Sequence, residues 1–201
     1  MSKTFLDLQQ QRRSIYAIGK NVKQSAEELS TLIKKTIAEA PSAFNSQSSR
    51  AVILCGDAHE QVWNITLETL RKIVPADAFA ATEGKINGDF KAGFGTVLFF
   101  EDQTVVEGLQ KQFPAYANNF PIWSEHSTGI AQYATWLALT EAGLGATLQH
   151  YNPIIDEEVA KTWGIPSTWT LRAQMPFGSI EAPAGEKTYM SEDERFKVFG
   201  A

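Results

Sequence analysis

Apolar residues recur along this chain at two alternating periods, and that alternation restricts the fold more than any other feature. Ser25, with Glu28 three residues on, reads as a capping box. Leu29, Leu32, Ile33 and Ile37 then share one helical face until Pro41 stops the helix. Asp57 with Glu60 opens the same pattern, with Trp63, Leu67, Leu70 and Val74 as the stripe and Pro75 as the stop. Thr104 with Glu107 marks a third start. A longer helix is predicted from about Ser127 to Glu141, with Ile130, Ala134, Leu137 and Ala138 on one face and Gly143 ending it. The N-terminal piece to about Gln11 is also predicted helical. Between these lie short apolar runs with the look of strands: AVILC (51–55), TVLFF (96–100), ATLQHY (146–151) and LRAQMPFGSI (171–180). The expectation is a sheet of four or five strands with helices on both sides. Two stretches, 75–95 and 181–201, read as irregular. The tail segment RFKVF (195–199) reads as a terminal strand able to pair with a distant edge or another subunit.

The 201 residues suit one domain, 1–201, whose core would bury about 70% of the unfolded surface. A net charge of −5 argues against nucleic acid or an anionic membrane as main partner. The lone cysteine, Cys55, cannot form an internal disulfide and fits a reducing cytoplasm. The start, MSKTFLDLQQQRRS, lacks the apolar core of a signal peptide, and no apolar run is long enough to span a membrane. There is no G-x-G-x-x-G after a strand, no P-loop and no G-x-S-x-G. His59, His126 and His150 lack ligand spacing, so no metal site is expected.

Four short segments carry possible binding chemistry. QRRSIY (11–16) sets the guanidinium forks of Arg12 and Arg13 beside the Ser14 hydroxyl, donors suited to phosphate, although a solvated helix end would use the same residues. RFK places Arg195 and Lys197 on one side of the expected strand, as a second wall for a phosphate or as charges that keep an edge soluble. PSAFNSQ (41–47) puts amides and a hydroxyl at a helix-to-strand corner; these suit a pyrimidine-like ring, and equally a plain turn. GLGATLQHYNP (143–153) brings Gln149, His150 and Asn152 to a strand's carboxyl end, where α/β sheets hold ligands.

In this order and at these separations the motifs resemble the FMN-dependent nitroreductase family over nearly the whole chain. LQHYNP and ERFKVF resemble its fatty-acid-repression subgroup. The resemblance implies an α+β, three-layer sandwich with a central mixed or antiparallel sheet, a homodimer with FMN at the subunit interface, and a C-terminal strand exchanged between subunits. It implies that Arg12, Arg13 and Ser14 bind the FMN phosphate and ribityl chain, joined at the phosphate by Arg195 and Lys197, and that Tyr16 also belongs to the FMN site. Pro41, Ser42, Ala43, Asn45 and Gln47 would come from the other subunit. Asn87 in KINGDF would face the pyrimidine edge, and Leu148, Gln149 and His150 would lie against the ring. Many members carry a cation at the position of Tyr16 and another at Phe90; Arg13 or Lys91 is then the candidate for the flavin N1/O2 edge.

The implied activity is FMN-dependent NAD(P)H oxidoreduction of nitroreductase or quinone-reductase type, in which NADH or NADPH and an electron-poor acceptor share one open site in turn. The cofactor carries the chemistry, so no catalytic side chain is named. Phe44, Trp123 and His150 are candidate pocket walls. A flavin-binding regulatory or stress-response protein with little turnover is the alternative.

Overall fold

The computed structural model describes residues 4–200. Its sheet is built around β3 (Gly95–Asp102), which lies antiparallel between β2 (Ser49–Cys55) and β5 (Trp169–Ile180). β1 (Ile18–Gly19) and β4 (Gly145–Ala146) also pair antiparallel with β5. The five strands run β1–β5–β3–β2, with β4 added on β5. The expected α+β sandwich is therefore present, and every strand pairing in it is antiparallel.

Period-2 alternation sends β3 side chains to two faces. Leu98 and Phe100 enter a core shared with Trp63 and Leu67 of α3 (Asp57–Arg71), Phe79 of α4 (Ala76–Lys85) and Val159 of α7 (Asp156–Trp163). Val97 and Phe99 enter the other core, with Leu29 and Ile33 of α2 (Ala26–Glu39) and Leu139 of α6 (Phe120–Glu141). In β5, Leu171 belongs to the first core and Ala173 to the second, although two residues apart should share a face. A register shift opposite Phe99/Phe100 adds one residue there and swaps the faces.

Several sequence expectations need correction. Ser25 does cap α2, in a reciprocal box with Glu28. Asp57 does not cap α3: Gly56, at φ 56°, is the cap residue, because β2 turns into the helix through a left-handed conformation, and Asp57 lies in the first turn. Thr104 does not cap α5 (Gln103–Gln112): Asp102 does, accepting the Thr104 N–H at 3.1 Å. The sequence reading missed a further capping box, Thr4 with Asp7, which opens α1 (Phe5–Gln11). Residues 75–95 are not irregular. They form α4 and then a π-helical stretch, Ile86–Lys91, because Phe79, Ile86 and Phe90 fall on one buried side despite the intervening glycines.

The ATLQHY run gives only a two-residue strand and an isolated bridge between Gln149 and Gln174. Thr147 donates to the Pro176 carbonyl at 3.2 Å, and Pro176 has no N–H to return. Among the described residues, the tail forms no strand within the chain. Arg195 ends a short helical turn, α8 (Glu192–Arg195), and residues 196–200 are exposed. No described helix is long and apolar enough to cross a membrane.

A buried polar relay ties α3, β3 and the π-helical stretch together. Trp63 Nε1 donates to Thr96 Oγ1 at 3.0 Å, and Thr96 Oγ1 lies 2.8 Å from His59 Nδ1. His59 Nε2 lies 3.2 Å from the Lys91 carbonyl. With the Thr96 hydroxyl donating to Nδ1, neutral His59 donates to Lys91. Burial chiefly holds the imidazole well below its ordinary range, to about 4. A base depressed in the fold contributes stability that is complete above its unfolded value near 6.5 and is lost as pH falls towards 4. The loss should reach on the order of 3 kcal/mol, read as the difference in urea-unfolding free energy between the parent and His59→Gln across that window. Parallel pH curves for the two proteins would refute it.

Candidate functional site

A cleft of about 560 Å³ opens beside the end of α1, with Arg12, Arg13, Ser14 and Tyr16 on one wall and residues 182–187 on the other. The chain leaves α1 at Arg12, whose N–H closes the helix on the Leu8 carbonyl at 3.0 Å. Ser14 then forms a parallel bridge with Ala146, and Ile15 donates to the Ala146 carbonyl at 3.0 Å, so the sheet edge sets where the motif points. The Arg12 guanidinium lies 4.4 Å from the centroid of the Trp136 ring on α6. Its Nε is buried and has no hydrogen-bond partner. Arg13 donates to the Gly185 carbonyl at 2.8 Å, joining the two walls. Arg12, Arg13 and Lys187 outnumber Glu186, so the cleft is basic on an acidic protein. A cleft holding two guanidinium groups, one of them stacked on an aromatic ring with its Nε unpartnered, suits an anion.

The second assembly is the corner between α2 and β2. Residues Ala43–Asn45 form a 3₁₀ turn. Phe44, Asn45 and Gln47 all have positive φ, at 58°, 49° and 48°. Non-glycine residues rarely accept this, and such runs concentrate at functional sites. Ser42 braces the run from inside: its carbonyl accepts the Asn45 N–H at 3.0 Å and its Oγ the Gln47 N–H at 2.9 Å. Arg50 donates to the Gln47 carbonyl and pairs with Asp102 at 3.0 Å. Phe44 is half-exposed and sits among aromatic rings, stacked on Trp123 at 5.9 Å and 19° and 5.0 Å from Phe113. The corner borders one cavity of about 180 Å³, with Gln47, Arg50 and Ser127 on its walls, and another of about 200 Å³, which adds Trp123 and His126.

The remaining sequence candidates divide between these places. Leu148 packs partly against the α2/α6 core, Gln149 is fixed by its bridge to Gln174, and His150 is exposed just beyond. Ala146, which bridges Ser14, links this strand end to the basic cleft. Asn87 is exposed on the π-helical stretch; Phe90 of the same stretch lies 6.3 Å from the Tyr16 ring. Lys91 is tied to Asn64 at 2.8 Å. Arg195 and Lys197 are not on the walls of the cleft within this chain; Lys187 is.

Sequence reading missed Trp136 and Lys187 as well as the carboxylates behind the corner. Trp136 lies far along the chain from the Arg12 it supports, so only tertiary packing pairs them. Among the described residues, none lines both the basic cleft and the corner cavities.

A nitroreductase-family model matches residues 10–179, which include the Arg12–Tyr16 wall of the cleft and the whole corner. The chain belongs to the nitroreductase family. Nitroreductase CinD of Lactococcus lactis, solved with 4-nitrophenol, is 52% identical, with a TM-score of 0.88 over 98% of this chain and 100% of its own. HBN1 and FRM2 of Saccharomyces cerevisiae are 39% and 34% identical, over 94% and 90% of this chain and 95% and 90% of their own lengths. FRM2 is also named a nitroreductase. A nitroreductase with bound FMN from Desulfitobacterium hafniense, 17% identical over 99% of this chain and 100% of its own, shares the fold at a TM-score of 0.71.

If the left-handed corner stores strain, glycine at an exposed member should release it. Gln47→Gly is expected to raise the unfolding free energy by about 0.5–1 kcal/mol, measured by chemical denaturation. A loss of stability would mean that Gln47 is held by contacts worth more than the strain.

Proposed function

We propose that the protein is an FMN-dependent NAD(P)H oxidoreductase of the nitroreductase or quinone-reductase type, a single domain over 1–201 that works as a homodimer with FMN between subunits. The observation that carries the reading is the orphaned, buried Arg12 Nε in a basic cleft, set apart from an amide-bearing corner that the same chain does not bring to it. A two-fold axis joins such separated halves by bringing one copy's cleft to the other's corner. The donor set fits FMN: guanidinium groups and a hydroxyl for its phosphate and ribityl chain, amides for its ring.

In this reading Arg12, Arg13, Ser14 and Tyr16 of one subunit hold the phosphate and ribityl end. Pro41, Ser42, Ala43, Asn45 and Gln47 of the second subunit face the ring. Asn87 and Leu148–His150 complete the ring's surroundings, and Arg195 and Lys197 reach a phosphate after the tail crosses to the other subunit. Exposed apolar side chains support the pairing: Phe5 and Leu6 on α1, Ile130 and Tyr133 on α6, and Tyr189, Met190, Phe196 and Phe199 along the tail. The chemistry supplied by bound FMN is hydride transfer, from NADH or NADPH to the flavin and then from the reduced flavin to a nitroaromatic, quinone or similar acceptor. Phe44 and Trp123 offer a flat apolar wall to such an acceptor and keep water from it. Structures of CinD with 4-nitrophenol and with chloramphenicol, two nitro compounds, support the acceptor class. The single free Cys55 fits a reducing cytoplasm.

The purified protein should carry flavin absorbance that bleaches anaerobically with NADH or NADPH and recovers on adding a nitroaromatic or quinone. Arg12→Ala should weaken FMN binding by about tenfold or more, and a monomeric variant should lose FMN with every site residue intact. A protein that takes up no FMN would end this reading. Flavin that is bound but reduced by neither nicotinamide would point instead to a regulatory flavoprotein.

A further inference from the structure

A carboxylate without a cation of its own lies behind the corner. Glu101, the penultimate residue of β3, is fully buried. Its oxygens accept hydroxyl hydrogens from Ser48 at 2.6 Å, from Ser49, and from Ser124 at 3.0 Å. The cation of β2, Arg50, is engaged by Asp102. The charged group bearing on Glu101 from α6 is Glu125, of like sign and itself paired with Arg172 at 2.6 Å. Burial accordingly pushes the Glu101 carboxyl above the ordinary carboxylate range, while the three serines pull it back. A buried acid held only by neutral donors gives little net stability, since desolvation offsets what its bonds return.

What the bonds do supply is direction. Ser48 and Ser49 are the first residues after the left-handed run, and Ser124 adjoins Trp123, the ring stacked on Phe44. One buried carboxylate thus grips the exit of the corner and the helix that carries its aromatic wall. Asp102 acts on the same run through Arg50 and the Gln47 carbonyl. Three non-glycine residues at positive φ persist only where their surroundings over-determine them.

We propose that Glu101 is a positioning residue for the cofactor: its three hydroxyl bonds lock Phe44–Gln47 in the shape that presents Asn45 and Gln47 to the flavin. The proposal rests on the FMN reading given above. With the lock loosened, the corner remains but is aimed differently, and a misplacement of about 1 Å at a binding group costs far more in function than in folding.

The test uses the full-length apoprotein reconstituted with FMN. Flavin-fluorescence titration gives the dissociation constant, and visible circular dichroism reports the ring's surroundings. Glu101→Gln should remain folded, bind FMN about tenfold more weakly and change the visible circular dichroism of the bound flavin. Ser49→Ala, a milder change, should move both readouts in the same direction, by about threefold in affinity. Arg12→Ala, at the phosphate end, should weaken binding while leaving the ring's dichroism as it is. Parent-like affinity and dichroism in Glu101→Gln, with binding lost in Arg12→Ala, would overturn the positioning role and leave the FMN reading standing. Parent-like binding in Arg12→Ala as well would overturn the FMN site itself, and this role with it. Should Glu101→Gln fail to fold, Ser49→Ala decides by the same two readouts.

Discussion

From Gly95 to Glu101, β3 has no exposed residue, and its apolar side chains alternate into two separate cores. That double burial is the constraint the rest of the protein answers. A strand hidden on both faces requires helices on both sides, and a strand hidden at both edges requires β2 and β5 beside it. Close approach is enforced at the neighbours too: a side chain on Gly178 of β5 would come within 2.2 Å of the Gly19 carbonyl of β1. The central strand therefore leaves the ends of the sheet, rather than its faces, for binding.

Both ends are used. At its start, Thr96 accepts from Trp63 and donates to His59, and so steadies the π-helical stretch that carries Asn87. At its finish, Glu101 and Asp102 hold the corner of residues 42–50 directly and through Arg50. The basic cleft is referenced to the same sheet from another side, where Ser14 bridges Ala146 on β4, which pairs with β5. Rigid strands thus locate both the cleft and the corner, while the irregular backbone at each carries polar groups.

How far the sequence revealed this depended on the range of the interaction. The Ser25 box, the α2 and α3 stripes and the long helix were legible because helix caps and faces are decided within a turn or two. The starts of α3 and α5 were misread because Gly56 and Asp102 took the cap positions where strands end. The stretch 75–95 misled because its glycines and alanines mask the spacing of Phe79, Ile86 and Phe90, which only the core against α3 and β3 makes decisive. The ATLQHY strand was cut short by Pro176 on a strand remote in sequence.

Sequence alone determined the alternation of helix and strand and carried the motifs that resemble the nitroreductase family. Those are properties of local period and of side-chain chemistry. Tertiary structure alone decided the antiparallel pairing of the five strands, the stacking of Arg12 on Trp136, the left-handed backbone at Phe44, Asn45 and Gln47 and the buried carboxylate behind it. Each of these joins residues far apart in the chain, or sets a backbone conformation against its local preference. Their energies exist only once the two cores have closed around β3.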